Sequence, residues 1–314
     1  MREPSTTAQL RLADAVPLAT ALAARVADRV GARVLFIKGP VASLQGLRPP
    51  HASLDVDVLV DPAATERFIH GLRALGWHDR PGYRPLPLSG GHATTLIHDE
   101  WPCDYDVHHY WPGFALPADQ VFDTLWARRS ITTVAGHSVV APSRVDGLLV
   151  LALHALRGAR TPNELRAYRE LVDTAERSFD ASERELLCDA AVELGATDTA
   201  APFLRELGFV PAPSPDSEEA MMWRIRSEFS SGAADWLIEL RRAPWYQRPK
   251  VLIEAVFPSP RRLRMLHPEA GSGRGALIAT WWRRFRAGVA ALPEARRATA
   301  ALGTDRKSGG PKRP

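Results

Sequence analysis

The six residues Asp55-Val56-Asp57-Val58-Leu59-Val60 constrain the fold more than any other stretch of the chain. Successive side chains of a β-strand point to opposite faces. Asp55 and Asp57 therefore share one face, while the three valines share the other and pack into a core. The stretch predicts a strand that lies between a buried core and a charged surface.

Two carboxylates on one strand face need a reason, because like charges about 6–7 Å apart repel unless protons or cations lie between them. Paired oxygen ligands of this kind suit Mg²⁺ or Mn²⁺ better than zinc. The alternative is a strand edge with two solvated aspartates. A cation site is the more specific hypothesis, because it predicts further carboxylates close to these two.

A second acidic strand follows at residues 103–109, Cys-Asp-Tyr-Asp-Val-His-His. Its alternation places Cys103, Tyr105 and Val107 on one face, and Asp104, Asp106 and His108 on the other. Three carboxylates on one face of a sheet are what a two-metal phosphoryl-transfer site requires, since its cations bridge carboxylates and substrate phosphates.

The order of elements predicts an α+β fold with a small mixed sheet and flanking helices, followed by an all-α domain. An amphipathic helix over 8–30, kinked or interrupted near Pro17, precedes a buried strand over 33–38 and a Gly39-Pro40 turn. A small hairpin is expected around Ala135-Gly136-His137. From Pro142 onward the pattern predicts helices over 143–158, 162–178, 181–194, 197–207, 217–230, 232–242 and 274–292. The predicted domains are 1–141, 142–302 and a disordered basic tail over 303–314.

Composition limits the compartment and the partners. Two cysteines among 314 residues are too few for a disulfide framework, and the sequence contains no run long and apolar enough to span a bilayer. We therefore expect a cytoplasmic protein. Residues 241–314 carry 17 basic against 4 acidic residues, and Trp281–Arg286 belongs to a basic aromatic helix. This helix is expected either to bind nucleic acid or a membrane surface, or to dock through its tryptophans.

Three motifs together carry a family resemblance: Lys38-Gly39, Asp55-Val56-Asp57 and Asp106-Val107-His108. They resemble the polymerase-beta-type nucleotidyltransferase superfamily, and within it an uncharacterised bacterial family with KG, DxD and DxH motifs. His154, Leu171-Val172-Asp173 and Val256-Phe257-Pro258-Ser259 are similar to later, weaker motifs of that family. The resemblance spans roughly residues 20–290 and implies a nucleotidyltransferase core.

The resemblance also implies roles for individual residues. Asp55 and Asp57 would be the first two metal ligands, and Asp106 the third carboxylate, acting as a ligand or as the general base. Asp104 competes for that third role, but only Asp106 keeps the family spacing to a histidine. Lys38, Gly39 and Ser43 would bind the nucleotide, and Mg²⁺ or Mn²⁺ would be the cofactor.

Two departures from the superfamily pattern affect phosphate binding. Pro40 stands where a serine or glycine N–H usually helps to hold the triphosphate, and proline has no N–H. Lys38 or Ser43 is expected to compensate. The family also tends to carry an arginine before the first aspartate, where this chain has His51, with Arg48 slightly further back.

The remaining polar residues are open to two interpretations. His108 either orients Asp106 or contacts a phosphate, or it is a structural hydrogen-bonding residue. His154 is expected to be a core histidine, since Val150 and Leu151 lie one turn before it, and Asp173 to be an ordinary helix residue. Gly90-Gly91-His92 is expected to be a loop tip, since no phosphate-loop lysine follows.

The sequence thus predicts a metal-dependent nucleotidyltransferase that moves an NMP from an NTP to a hydroxyl group and releases pyrophosphate. A small molecule, an RNA end or a protein side chain would satisfy the sequence as acceptor. The alternatives are an inactive or antitoxin-like relative that keeps the fold, which Pro40 favours, and a nucleic-acid binder that uses the basic C-terminal region.

Overall fold

The computed structural model describes residues 10–50, 53–80, 92–158, 162–211, 243–258 and 273–304, together with positions 223, 240, 260 and 263. Contacts divide the chain into two compact units, one made of 1–80 and 92–215 and the other of 81–91 and 216–314. The predicted boundary near 141 lies inside the first unit. The division at that position into a catalytic and a helical domain stays a prediction.

A five-stranded mixed sheet in the first unit confirms the predicted fold class. Its strands are Val34–Phe36 (β1), Asp55–Val60 (β2), His78–Asp79 (β3), Ala93–Ile97 (β4) and Asp104–His108 (β5). The strand order is β1-β2-β5-β4-β3, in which β2 and β5 are parallel and every other neighbouring pair is antiparallel.

The register between β2 and β5 determines which side chains share a face. Asp55 lies opposite Asp104, and Asp57 lies opposite Asp106. Because side chains alternate along each strand, all four carboxylates belong to one face of the sheet. The two acidic strands that the sequence predicts are therefore neighbours in register.

The other face of these strands packs against helices. Leu12–Val30 (α1) and Thr65–Arg73 (α3) contribute buried side chains to the core that contains the valines of β2, with Tyr105 and Val107 of β5. The Tyr105 hydroxyl donates a hydrogen bond of 2.6 Å to the Ala19 carbonyl and so ties β5 to α1. Pro17 lies inside α1 without ending it. The acidic face therefore points away from the layer that α1 and α3 form.

Three further elements flank the sheet. Gly39–Leu44 forms the short helix α2 between β1 and β2, and Ala118–Ala127 forms α4 after β5. Ser130–Val134 (β6) and His137–Ala141 (β7) form the predicted hairpin. Its turn residues, Ala135 and Gly136, have φ values of 49° and 74°, the two positive values that a tight two-residue hairpin turn requires.

Helices follow the hairpin within the first unit, as predicted. They are Arg144–Gly158 (α5), Pro162–Ser178 (α6), Ala181–Glu193 (α7) and Ala201–Glu206 (α8). The Asp180 side chain and Glu183 form a capping box at the start of α7. Asp146 of α5 is buried and forms an ion pair of 2.7 Å with Arg128 at the end of α4. This ion pair fixes the start of α5 beside the sheet domain.

The second unit contains two described helices, Arg248–Val256 (α9) and Arg274–Thr304 (α10). Trp281 of α10 stacks on Phe257 and donates a hydrogen bond of 2.8 Å to the Val256 carbonyl. The tryptophan helix therefore docks on α9, although Trp282 stays half exposed. Apart from positions 223 and 240, the predicted helices over 217–230 and 232–242 lie outside the described residues, as do residues 305–314 of the tail. Within the described ranges, we find no helix that is both long and apolar enough to cross a membrane.

Candidate active site

Asp57 is the most buried carboxylate on the acidic face, with 2% of its side chain exposed. Its Oδ1 atom lies 2.8 Å from the Lys38 ammonium and 3.1 Å from Nε2 of His108. Lys38 comes from the turn between β1 and α2, while His108 ends β5. Three separate elements therefore meet at one carboxylate oxygen.

Competing effects act on the pKa of Asp57. Burial alone would raise this pKa, but the hydrogen bond to His108 and the positive charge of Lys38 hold it well below its usual range. Asp57 is consequently an anion at neutral pH. The ionised carboxylate is the form that can bind a metal cation.

Asp106 lies opposite Asp57 on β5 and is half-buried. Thr95 on the neighbouring strand β4 donates a hydrogen bond of 2.6 Å to its Oδ1 atom. Ligand atoms of Asp57, Asp106 and His108 all lie within 4.8 Å of one another. Two ligands on opposite sides of a cation, each at about 2.1 Å, are about 4.2 Å apart, so small side-chain movements would let one ion bridge this group.

Asp55 lies at the edge of this group. Its carboxylate accepts a hydrogen bond of 3.1 Å from the Ser53 hydroxyl, and it does not belong to the set of three close ligands. Burial, followed by the negative charge of Asp57, raises the pKa of Asp55, and Asp106 adds to the effect. The structure thus joins His108 to Asp57 and Asp106, while the role of Asp55 as a metal ligand stays a prediction.

Asp104, the competitor for the third carboxylate, has a different partner. Its side chain forms an ion pair with Arg80, at the end of the segment that holds β3. Among the residues that the structure describes, no cation pairs with Asp106, which instead accepts a hydrogen bond from the hydroxyl of Thr95. This difference favours the predicted choice of Asp106.

The predicted nucleotide-binding residues lie at the start of α2 and within it: Lys38 is its N-cap, and Gly39 and Ser43 belong to the helix. Gly39 has φ +59°, in the left-handed region, and Pro40 follows it in the first turn of α2. The Ser43 hydroxyl lies 3.5 Å from the Pro49 carbonyl, which is the limit for a hydrogen bond. The nucleotide-binding roles of Lys38, Gly39 and Ser43 stay predictions.

Arg48 reaches back to this turn. Its Nη2 atom donates a hydrogen bond of 3.4 Å to the Gly39 carbonyl, and its Nε atom is buried with no hydrogen-bond partner among the described residues. Burial lowers the pKa of Arg48, and the negative charges of Asp57 and Asp55 oppose this effect. Arg48 therefore lies close enough to the DxD strand for both aspartates to act on it. His51 lies outside the described residues.

Aromatic rings enclose His108. The indole of Trp111 meets the imidazole edge-on at 4.8 Å, lies 5.6 Å from the Lys38 ammonium and donates a hydrogen bond to the Val150 carbonyl. The ring of His92 stacks on His108 at 5.4 Å. Gly90 and Gly91, predicted as a loop tip, lie outside the described residues. The enclosure leaves His108 buried, with a side chain that is 4% exposed.

A family described as uncharacterised nucleotidyltransferases matches residues 18–206, well over half of the chain. The chain belongs to this family. The match covers the KG turn, both acidic strands and helices α5 to α8. It is the family whose motifs the sequence resembles, and it makes the protein a nucleotidyltransferase.

Solved structures give more distant likenesses. The lincosamide antibiotic adenylyltransferase LnuA, solved with lincomycin bound, is 17% identical with a TM-score of 0.34, and the match covers 49% of this chain and 94% of LnuA. An antigenic nucleotidyltransferase-like protein from Paracoccidioides brasiliensis is 14% identical with a TM-score of 0.36, and the match covers 60% and 93%. No curated protein matches the chain. Similarities this distant say nothing about the substrate.

The possible ligand atoms of Asp57, Asp106 and His108 in this nucleotidyltransferase fit a divalent cation. Carboxylate oxygens suit Mg²⁺ and Mn²⁺, and an imidazole nitrogen is a common ligand of transition metals. Nδ1 of His108 is buried and has no hydrogen-bond partner among the described residues, so the orientation of this ring is not fixed from that side. The chemistry of these three residues therefore agrees with the cation that the family motifs imply, without selecting one metal.

Of two residues in the family's weaker motifs, one has the surroundings expected from the sequence and the other does not. His154 is exposed, so the prediction of a core histidine is wrong: its neighbours Val150 and Leu151 are buried, but its ring lines a cavity. Asp173 is exposed and lies 3.7 Å from Arg177 one turn later, as an ordinary helix residue does. Ser259 lies outside the described residues.

Proposed function

We propose that this nucleotidyltransferase moves a nucleoside monophosphate from an NTP to a hydroxyl group of an acceptor and releases pyrophosphate. The observation that carries the proposal is the register that places Asp57 opposite Asp106, with the Lys38 ammonium on Asp57. Family membership supplies the class of reaction. The geometry supports a place where a divalent cation and a triphosphate meet.

The proposed reaction forms one bond and breaks one. The acceptor oxygen bonds to the α-phosphorus, the bond from that phosphorus to the bridging oxygen breaks, and pyrophosphate leaves with the electron pair. Asp106 orients the acceptor hydroxyl and takes its proton. Thr95 occupies Oδ1 of Asp106, which leaves Oδ2 for the acceptor.

Asp57 and Asp106, with Asp55 as the further carboxylate, would hold Mg²⁺ or Mn²⁺. Such a cation neutralises the triphosphate and the developing pyrophosphate. The Lys38 ammonium neutralises Asp57 in this structure, so its release from Asp57 makes it available to a phosphate oxygen. Gly39 and Ser43 contribute the remaining nucleotide contacts, since Pro40 has no N–H to donate.

Small molecules, RNA ends and protein hydroxyls all stay within the proposal as acceptors. The basic region over 241–314 makes nucleic acid a chemically reasonable partner. A cytoplasmic location agrees with the need for NTP and with two cysteines that form no disulfide. Neither the basic region nor the cytoplasmic location affects the proposed chemistry at Asp57.

Matched substitutions on β2 and β5 test the roles. Asp57→Ala should lose metal-dependent NTP binding and turnover, because a cation ligand is gone. Asp106→Ala should weaken NTP binding less than Asp57→Ala does, since the buried ligand Asp57 remains. It should still lose turnover, because the proton transfer by Asp106 contributes mainly in the transition state. Lys38→Ala should weaken NTP binding by about 1–3 kcal/mol if the ammonium meets a phosphate.

The measurements are calorimetric NTP binding and pyrophosphate release, with cell extract as the pool of acceptors. Asp104→Ala is the matched control, since Asp104 shares the strand face with Asp106 but pairs with Arg80. It should keep turnover. Loss of turnover in Asp104→Ala with full activity in Asp106→Ala would contradict the assignment.

A further inference from the structure

A cavity of about 260 Å³ lies in the first unit, between the turn that follows α2 and the helices α5 and α6. Its apolar walls include Leu47, Leu151 and Leu171, all of which are buried. Arg48, His154, Glu170 and Thr174 supply its polar side chains. None of the residues given a role in the proposed reaction lines this cavity.

The cavity adjoins the candidate active site. Arg48 lines it and also donates a hydrogen bond to the Gly39 carbonyl of the KG turn. The charges of Asp57 and Asp55 act on Arg48, and the charge of Lys38 acts on His154. A group held in this cavity therefore lies beside the residues that are proposed to hold the triphosphate.

The volume of the cavity limits the size of the group that it can bind. Pockets for whole drug-sized ligands measure about 300–1,000 Å³, so this cavity is just too small for a complete substrate. It suits one ring system whose remainder extends out of the cavity. An NTP has this shape, because a compact base is joined through a sugar to a long charged triphosphate.

The polar groups favour a neutral ring with both donors and acceptors on its edge. The buried Nε–H of Arg48 has no partner among the described residues, and the Glu170 carboxylate accepts hydrogen bonds. Although His154 is exposed, desolvation of its ring where it lines the cavity, followed by the charges of Lys38 and Arg157, lowers its pKa, so the imidazole is neutral and both donates and accepts. One cation and one anion leave no net charge for an ionic ligand, while the leucines cover the faces of a flat ring.

We propose that this cavity binds the nucleobase of the NTP, with Arg48, His154 and Glu170 at the edge of the base. The proposal rests on the function proposed above and adds the position of the nucleoside. In this arrangement the cavity and the KG turn are the two ends of one nucleotide-binding site.

Filling the cavity tests this directly. Ala155 and Ala167 line it from α5 and α6, and Ala167 is exposed, so Ala167→Phe should fold even if Ala155→Phe does not. Leu165→Phe is the matched control, since Leu165 is exposed on the same helix and does not line the cavity. Thermal melts verify that each variant is folded. The probes are ATP, GTP, CTP, UTP and inorganic tripolyphosphate, titrated by calorimetry with Mn²⁺ present.

The wild type should bind its preferred NTP at least about tenfold more tightly than tripolyphosphate. Ala167→Phe and Ala155→Phe should lose this preference and keep tripolyphosphate binding, while Leu165→Phe should match the wild type. The inference is overturned if the cavity variants keep the preference, or lose only turnover, or if the wild type shows no preference. If the wild type binds neither NTP nor tripolyphosphate, the proposed function itself fails.

Discussion

Asp55 and Asp57 lie two residues apart on one strand, yet their surroundings move their pKa values in opposite directions. Burial raises the pKa of Asp55, and the charges of Asp57 and Asp106 add to this rise. At Asp57, burial is outweighed by the hydrogen bond from His108 and the charge of Lys38. The Lys38 ammonium forms an ion pair with Asp57, while its charge only partly offsets the effects that raise the pKa of Asp55.

This contrast predicts that Asp55→Asn stabilises the protein when no metal is present. An acid whose pKa is raised in the folded state destabilises that state once it is ionised, and the effect is absent below the unfolded-state value of about 3.9. At pH 7 the melting temperature of Asp55→Asn should exceed that of the wild type by on the order of 2 °C.

At pH 3, which is below the unfolded-state value, the difference in melting temperature should largely disappear, because Asp55 is then mostly protonated in both the folded and the unfolded state. Thermal melts in metal-free buffer at the two pH values provide the measurement. Equal or lower stability of Asp55→Asn at pH 7 would show that its charge is already compensated.

At the scale of elements, the KG turn depends on one backbone conformation. Gly39 has φ +59°, and a Cβ built there would have nothing within 4 Å. The cost of a side chain is therefore conformational rather than steric contact with neighbours, about 1–2 kcal/mol for alanine. Gly39→Ala should lower the free energy of unfolding by this amount, as measured by urea denaturation.

Asparagine enters the left-handed region more readily than alanine, so Gly39→Asn should cost less than Gly39→Ala. This ordering is the control for a conformational cause. If both substitutions cost the same, or if neither has an effect, the turn does not hold this conformation in solution.

The sequence predicts those elements whose pattern is local. Alternation identifies β2 and β5, and the turn around Ala135-Gly136 identifies the β6–β7 hairpin. It does not identify β3, which has only two exposed residues, or α4, which begins after Pro117 without a side-chain cap. Such short or uncapped elements depend on tertiary contacts that no local pattern contains.

In the candidate site, too, some features follow from local sequence and others depend on tertiary contacts. Lys38, Asp57 and Asp106 follow from motifs, but the hydroxyl of Thr95 on Asp106 and the pairing of Arg80 with Asp104 follow from the position of β4 beside β5. Trp111 beneath His108 is likewise a tertiary contact. An aromatic residue three positions after a motif histidine is too weak a signal to predict the contact between Trp111 and His108.

At the scale of the whole molecule, helices α5 to α8 belong to the same compact unit as the sheet. Leu148, Leu149 and Val150 of α5 are fully buried, which explains why the change from strands to helices at 141 is not a break in contacts. The family match ends at residue 206, close to the end of this unit at 215. The residues proposed to bind NTP and metal all lie within that shared region.

The central claim is that a divalent cation at Asp57 and Asp106 joins the protein to an NTP. Calorimetric titration of the four NTPs into the wild type and Asp57→Asn, each with and without Mg²⁺ or Mn²⁺, tests it most directly. We predict that the wild type binds at least one NTP only when the cation is present, and that Asp57→Asn, although folded, binds none. NTP binding that needs no cation, equal binding by Asp57→Asn, or a folded wild type that binds no NTP would contradict the claim.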